Sequence, residues 1–303
     1  MSMTTGLFRE DADGSVVHSA TSALLARDPV VYSYATYMSG GSAPVAIEMA
    51  AAAKKWGPNS TAPYETAFNV ARDTDLPFFD YLSRNPEMMA EFGGYMRNVR
   101  SSDGVALRHL ISGYAWDSVP KDGVVVDVGG SEGGAAIALA EAFPHLKLVV
   151  QDLQNNVDRG QKALEASPNA KLLERITFQG HDFMTPEPVK DADVYLLRMI
   201  LHDWPDAQAA KIVRNLAEAI KGRPSARLLI MDTVLPKPGT VPVSIERLFR
   251  TRDMTMLQAF NSKERHLDDW EALLVDVDTE LQLVNVVQPF GSAMSVLEVS
   301  YGK

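Results

Sequence analysis

"VVVDVGGSEGGAAIALA", residues 124–140, begins with an apolar run, passes through Gly129-Gly130-Ser131-Glu132-Gly133-Gly134 and continues in good helix formers. A short, nearly continuous apolar run followed by a glycine turn and a helix start is the opening of a βα unit whose strand is buried on both faces. The stretch predicts an α/β fold. A dinucleotide fingerprint places glycine at its first, third and sixth positions, so that backbone can approach a pyrophosphate. Gly129 and Gly134 meet that demand, but Ser131 holds the middle position and Glu132 brings negative charge into the turn. Read with the acid that precedes it, Asp127-Val128-Gly129-Gly130-Ser131-Glu132-Gly133 suits an uncharged part of a nucleoside ligand better than a phosphate.

Outward from this unit, further apolar runs at 146–153, 175–183, 193–201 and 226–235 alternate with helical periods. That alternation predicts a doubly wound, mostly parallel Rossmann-like sheet. The last two runs, 281–288 and 293–301, are separated only by Pro289-Phe290-Gly291-Ser292. Parallel strands need a longer crossover, so this pair is expected to form an antiparallel hairpin. Upstream, 22 to about 112 reads as helical, and 6–17 as a β-hairpin turned at Asp13-Gly14. The expected domains are 1–20, a hairpin; 21–115, a helical region capping the substrate; and 116–303, the sheet domain.

Composition narrows the function. The chain has 303 residues, 46% of them hydrophobic, and a formal net charge of −10 with no cluster of Lys or Arg. Nucleic acid and membrane surfaces are therefore poor partners. There is no cysteine, which removes disulfides, thiolate metal sites and cysteine nucleophiles. The N-terminus lacks a signal-peptide core and no apolar run approaches the ~18 residues of a membrane span, so a cytoplasmic protein is expected. The histidines show no metal-ligand spacing, and neither a G-x-S-x-G elbow nor a P-loop occurs. No metal is expected.

Acids stand where such a sheet binds ligands, at the C-terminal ends of its strands. Asp152, followed by Leu153, lies past the glycine turn at close to the ~20 residues expected of a carboxylate that accepts from ribose hydroxyls. Asp182, with Phe183 beside it, closes the third predicted strand and is placed to take an adenine amino group. A lone aspartate there serves equally well as a helix N-cap. These residues leave NAD and S-adenosylmethionine both open, with Ser131 and the terminal hairpin favouring the second. His202 and Asp203 follow the fourth strand in "LLRMILHDWPD"; the histidine is suited to take a proton from a hydroxyl, or else merely caps the strand end. Asp232 and Glu264 are candidates to orient it, against the alternative of solvated acids or caps. Arg198, a charge within an apolar strand, points either to a cofactor carboxylate or to a structural salt bridge.

Taken in order, DVGGSEG, QDL, GHDF, LLRMILHDWPD, DMTML and KERHLDDW resemble the class I S-adenosylmethionine-dependent O-methyltransferases of plant and fungal natural-product metabolism, the caffeate and sterigmatocystin type. The resemblance covers about Ser22 to Lys303. It implies a seven-stranded sheet closed by an antiparallel hairpin, with S-adenosyl-L-methionine as cofactor and S-adenosyl-L-homocysteine as its product. Asp127, Gly129, Gly130 and Ser131 would line that cofactor, Asp152 and Leu153 its ribose, Asp182 and Phe183 its adenine, and Arg198 its methionine end. His202 would be the general base, with Asp232 and Glu264 as flanking acids. Met96, Trp116, Met199, Asp203, Met254 and Met256 would surround a small aromatic or polyketide-like acceptor bearing a phenolic or enolic hydroxyl; core packing is the alternative for the apolar ones.

Two departures stand out. Asp232 replaces a more usual glutamate, and the residue after the arginine of KERHL is not the common threonine. Family members begin with a winged-helix dimerisation domain, and on this resemblance residues 1–20 correspond to its final wing, so a homodimer would form without most of that domain. Two rival readings keep the fold. One is a cofactor-binding protein that runs pericyclic, dehydration or hydroxylation chemistry, which an intact His202 disfavours; the other is a noncatalytic partner of a longer enzyme.

Overall fold

The chain divides after Ser102 into two units in a computed structural model that describes residues 2–302. The first unit opens on the expected antiparallel hairpin, β1 (Phe8–Glu10) and β2 (Val16–His18). Its turn is organised by Asp11, whose carboxylate accepts the N–H groups of Asp13 and Ser15 at 3.0 and 2.9 Å. Helices α1 (Ala20–Arg27), α2 (Pro29–Thr36), α3 (Ala43–Ile47), α4 (Met49–Trp56), α5 (Ala67–Arg72), α6 (Phe78–Arg84) and α7 (Pro86–Ser101) follow. Several start on side-chain caps: Ser19 with Ser22 on α1, Asp28 on α2, and Thr66 with Asn69 on α5.

Gly40 and Gly41 lie in a π-helical stretch, Tyr37–Ser42. Tyr37 accounts for the lack of a side chain at Gly41, where a Cβ would come within 3.0 Å of its ring. That ring stacks on Tyr95 with centroids 4.5 Å apart. Helices α2 and α7 cross closely because Gly94 has no Cβ, which would lie 2.6 Å from that of Ser33.

The second unit begins earlier than the expected boundary at 115. Its opening 3-10 turn, Asp103–Val105, and α8 (Arg108–Ser112) belong to the sheet domain by hydrogen bonding: the Gly104 carbonyl accepts from Ala293 N–H at 2.7 Å, and that of Val105 from the Arg198 guanidinium. The sheet then follows. In chain order it comprises β3 (Val124–Val128), α9 (Gly134–Ala142), β4 (Lys147–Asp152), α10 (Gln154–Glu165), β5 (Ile176–Gly180), β6 (Val194–Arg198), α11 (Asp206–Ile220), β7 (Arg227–Asp232), α12 (Val243–Phe260), α13 (Leu267–Val277), β8 (Leu281–Val287) and β9 (Ser295–Tyr301).

The spatial order is β5-β4-β3-β6-β7-β9-β8; the first five strands run parallel, and β9 is antiparallel to both β7 and β8. The predicted seven-stranded sheet with its closing hairpin is therefore present. Central strands are mostly apolar because helices cover both faces: Val194, Tyr195, Leu196 and Leu197 of β6 are all fully buried. Edge strand β8 is largely exposed and carries a register irregularity between Leu283 and Asn285, a device that discourages further pairing.

Two of the strands that stop short of their predicted ends bear on the site. β5 ends at Gly180, so Asp182 lies two residues past the strand rather than closing it. β6 ends at Arg198 because Met199 adopts a left-handed backbone, φ +55°, which no strand tolerates. No helix among the described residues is long and apolar enough to cross a membrane.

Candidate active site

The C-terminal ends of the five parallel strands bring the glycine turn, Asp152, Asp182, the 198–203 segment and Asp232 to one sheet edge. In the turn, Gly129 and Gly133 have φ of +71° and +83°, and Ser131, at +55°, takes the left-handed conformation that glycine would take more cheaply. Three of the turn's donors are committed to the protein. Gly130 N–H donates to the Gln151 carbonyl at 2.9 Å, Ser131 N–H to Asp152 Oδ2 at 2.8 Å, and Gly133 N–H to the Gly130 carbonyl at 2.9 Å. A pyrophosphate cradle needs such amides turned toward the ligand. Gly130 also answers to packing, since a Cβ there would lie 2.5 Å from Asp127 Oδ2.

Asp152 is held rigidly, accepting Ser131 N–H on Oδ2 and, on Oδ1, Leu153 N–H at 2.8 Å and Asn156 Nδ2 at 2.6 Å. A carboxylate offers about four acceptor sites, so Oδ2 keeps one for a ribose hydroxyl. Leu153 is 61% exposed beside it, an apolar surface for a sugar or base. Asp182 is exposed and accepts Met184 N–H at 2.9 Å, while Phe183 packs edge-on against Trp204. An acid for a sugar diol, apolar flanks and a turn whose Gly130, Ser131 and Gly133 amides are already bonded to the protein fit a nucleoside-type cofactor such as S-adenosylmethionine better than NAD. Arg198 donates to the Val105 carbonyl, tying the end of β6 to the 103–105 turn.

His202 lies in a single 3-10 turn, Leu201–Asp203. Its Nδ1 is 3.1 Å from Glu264 Oε1 and 3.7 Å from Asp232 Oδ1, and its Nε2 is 3.7 Å from Asp203 Oδ1. Glu264 thus takes Nδ1, and Nε2 is left for chemistry. The shorter side chain of Asp232 stops outside hydrogen-bond range of the imidazole; its Oδ2 accepts Leu201 N–H at 3.1 Å, so it anchors the loop under the histidine. Glu264 is placed in turn by Asp253 of α12, whose Oδ1 accepts its N–H at 3.0 Å.

Burial opposes charge on His202, but Asp232, Asp203 and Glu264 outweigh it and hold the imidazole well above its usual range. Burial also raises the acids: Asp203 is pushed up to about 7 and Asp232 to about 6, each partly offset by His202. A general base proposed at His202 needs a free lone pair, so kcat/KM is expected to rise with pH as the imidazolium gives up its proton. Replacing Asp203 by Asn removes a negative charge beside Nε2 and lowers the imidazole pKa. The acid limb of the kcat/KM profile should move to lower pH in Asp203→Asn; movement to higher pH would contradict this electrostatic account. All three shifts are upward, so the stability these groups contribute is present at low pH and is lost as pH rises; for Asp203 the loss runs from 3.8 to about 7.

One residue of the site escaped the sequence reading. Arg265 is fully buried; its guanidinium donates to the Leu201 and Trp204 carbonyls at 2.7 and 2.9 Å, and to Asp206 Oδ1 at 2.8 and 3.0 Å. These carbonyls bracket His202 and Asp203. The signal was its place beside Glu264 in KERHL. The unusual residue after it, His266, is the N-cap of α13 in a capping box with Asp269, a role threonine also fills.

The expected acceptor wall is only partly assembled. Trp116 must be withdrawn from it: the residue is 1% exposed, packs against Tyr114 and donates Nε1–H to the Leu110 carbonyl at 2.9 Å. Met199 is half-buried three residues before His202, and Met254 and Met256 sit on α12, which packs against the 201–203 turn. Met254 is 49% exposed. Met96 belongs to α7 of the first unit.

A parallel sheet with one reversed closing strand, a glycine turn without a phosphate cradle and a histidine held among carboxylates define a Rossmann-like methyltransferase. The model of the O-methyltransferase domain family matches residues 47–277, and the chain belongs to that family. It is 61% identical over 300 residues to the O-methyltransferase pgmB of Aspergillus terreus, covering 99% of this chain and 84% of that protein. It is 48% identical over 306 residues to the O-methyltransferase aurJ of Gibberella zeae, covering 99% of this chain and 69% of that protein. Among solved structures, LepI in complex with SAM superposes with a TM-score of 0.79 at 26% identity, covering 99% of this chain and 74% of that one.

Proposed function

We propose that this enzyme methylates a phenolic or enolic hydroxyl of a small aromatic or polyketide-like metabolite, with His202 as the general base. It is an S-adenosylmethionine-dependent O-methyltransferase; its relatives are named as O-methyltransferases. When bound, the cofactor supplies a methyl group already activated for transfer. Gly129, Gly130 and Ser131 would lie along it, Asp127 supports the turn from beneath, Asp152 and Leu153 would hold the ribose, and Asp182 with Phe183 the adenine. Arg198 would stand near the methionine end.

The observation that carries this reading is the division of labour at one imidazole. Glu264 binds Nδ1, fixing the tautomer that leaves the Nε2 lone pair free. Nε2 then takes the acceptor's hydroxyl proton as the oxygen is alkylated, and Glu264 stabilises the imidazolium so formed. Met199, Met254 and Met256 supply adaptable apolar surface for a flat acceptor, and Asp203 lies close enough to Nε2 to meet its polar edge. The reading places the enzyme in the cytoplasm. With 39 acidic residues against 29 basic ones, it expects no nucleic-acid partner.

Calorimetric titration with S-adenosylmethionine and, separately, NAD tests the cofactor site, and a screen of phenols scored by S-adenosylhomocysteine release tests the acceptor class. Binding of the first ligand alone, followed by turnover of at least one phenol, is expected. Binding of NAD instead would overturn the assignment.

A further inference from the structure

The connection from β5 to β6, residues 181–193, contains no helix, yet it crosses from the end of an edge strand to a central one. An irregular crossover must satisfy its backbone with side chains. Asn215 donates to the Phe183 carbonyl at 2.9 Å, the Tyr195 hydroxyl to that of Val189 at 2.6 Å, and Arg223 to those of Lys190, Asp191 and Ala192 at 3.2, 2.9 and 2.6 Å.

At the centre of this segment is a carboxylate that the chemistry above does not use. The side chain of Glu187 is 1% exposed, and its Oε1 accepts Gln151 Nε2 at 2.7 Å and Val189 N–H at 2.8 Å. Its other oxygen has no hydrogen-bond partner and faces His181 Nε2 across 4.0 Å; that nitrogen, in a side chain 8% exposed, has no partner either. Two residues of this group each adjoin a candidate cofactor acid. Gln151 immediately precedes Asp152, and His181 immediately precedes Asp182; His181 N–H also donates to the Asp152 carbonyl at 2.9 Å. Alternation along an extended chain sends Gln151 to the face opposite Asp152.

We propose that His181, Glu187 and Gln151 form a buried clasp that positions Asp182 and Phe183 for the adenine of the cofactor, closing through a His181 Nε2–H bond to Glu187 Oε2. An approach of about 1 Å brings the pair into hydrogen-bond range. Closure relieves two buried polar atoms that are costly to leave unpaired. Because β4 carries Gln151 and Asp152 on opposite faces, the clasp locks the adenine segment to the strand that holds the ribose acid. The inference rests on the proposed placement of adenine at Asp182 and Phe183, and these are positioning residues that touch no reacting atom.

The test is calorimetric affinity for S-adenosylhomocysteine in wild type, His181→Phe, His181→Gln and Asp182→Ala, with KM values measured alongside. Phenylalanine keeps the ring but loses the donor, whereas glutamine carries an N–H donor close to the position of Nε2. His181→Phe should bind roughly 10-fold more weakly, a change of about 1.4 kcal/mol, with acceptor KM and kcat at saturating cofactor unchanged. His181→Gln should bind nearly as wild type. If His181→Phe binds as wild type, or His181→Gln loses as much as His181→Phe, the clasp is refuted. Weakened binding by Asp182→Ala alone sinks the clasp and spares the adenine placement; unaltered binding by Asp182→Ala removes the placement and the clasp with it. His181→Leu replaces His181→Phe, with the same expectations, should that variant not fold.

Discussion

Replacing His202 by alanine should lower methyl-transfer turnover by about 10²–10⁴-fold, the usual contribution of a positioned base, and leave S-adenosylhomocysteine affinity essentially unchanged. In barrier terms that is about 3–5 kcal/mol. The separation of effects follows from geometry. His202 interacts with Glu264, Asp232 and Asp203, whereas the candidate ribose and adenine acids are held by the glycine turn, α10 and their own following backbone. Alanine therefore removes the proton acceptor without loosening the cofactor side. It also leaves three acids without their cation, so the variant should be stabilised by mild acid more than wild type is. Single-turnover formation of the methylated product, measured with the calorimetric Kd, checks both halves. Wild-type turnover in the alanine variant would remove His202 from the mechanism.

The second large effect is expected at Arg265. Leucine in its place would leave the Leu201 and Trp204 carbonyls without their donors, at about 1–3 kcal/mol for each buried group. A loss of that size lowers Tm by on the order of 10 °C in a chain of this length. Catalysis should suffer as well, because the two carbonyls bracket the base and a misplacement of about 1 Å can cost about 10²-fold. Arg265→Lys separates the two consequences. Its ammonium keeps the charge beside Asp206 but cannot span both carbonyls with the guanidinium's planar fork, so it should recover part of the stability and little of the turnover. The measurements are thermal melts and kcat well below each variant's Tm. Full turnover in Arg265→Leu would reduce the arginine to a purely structural role.

Much of this was legible along the chain because the deciding signals are local. The run at 124–128 could only be a buried strand, and the four residues between the last two runs could only make a reversal; the model has β3 at Val124–Val128 and β8 beside an antiparallel β9. His202 and Asp232 were each read at a strand end on the same sheet edge, while the grouping of both with Glu264 as a base and its flanking acids came from the family resemblance. Element ends were less legible. Asp182 fell outside β5 and Met199 terminated β6 by a left-handed backbone, a choice the tertiary contacts impose on a residue with no intrinsic preference for it. The start of the sheet domain moved from 116 to 103 for a similar reason, the hydrogen bonds that tie 104 and 105 to residues far along the chain.

The sequence by itself determined the α/β class, the closing hairpin and the glycine turn with its acids, because strand periodicity, turn chemistry and loop length act over a few residues; the proposal of His202 as base came from the family resemblance. Only the tertiary structure decided what each side chain touches. It assigned Nδ1 of His202 to Glu264 and gave Asp232 the backbone beneath it, a distinction of 3.1 against 3.7 Å that one methylene controls. It bonded the Gly130, Ser131 and Gly133 amides within the protein, moved Trp116 from a ligand wall into the core, and brought Arg265 under residues 201–204. Those outcomes depend on distances between residues remote in the chain, and such distances exist only once the elements have packed.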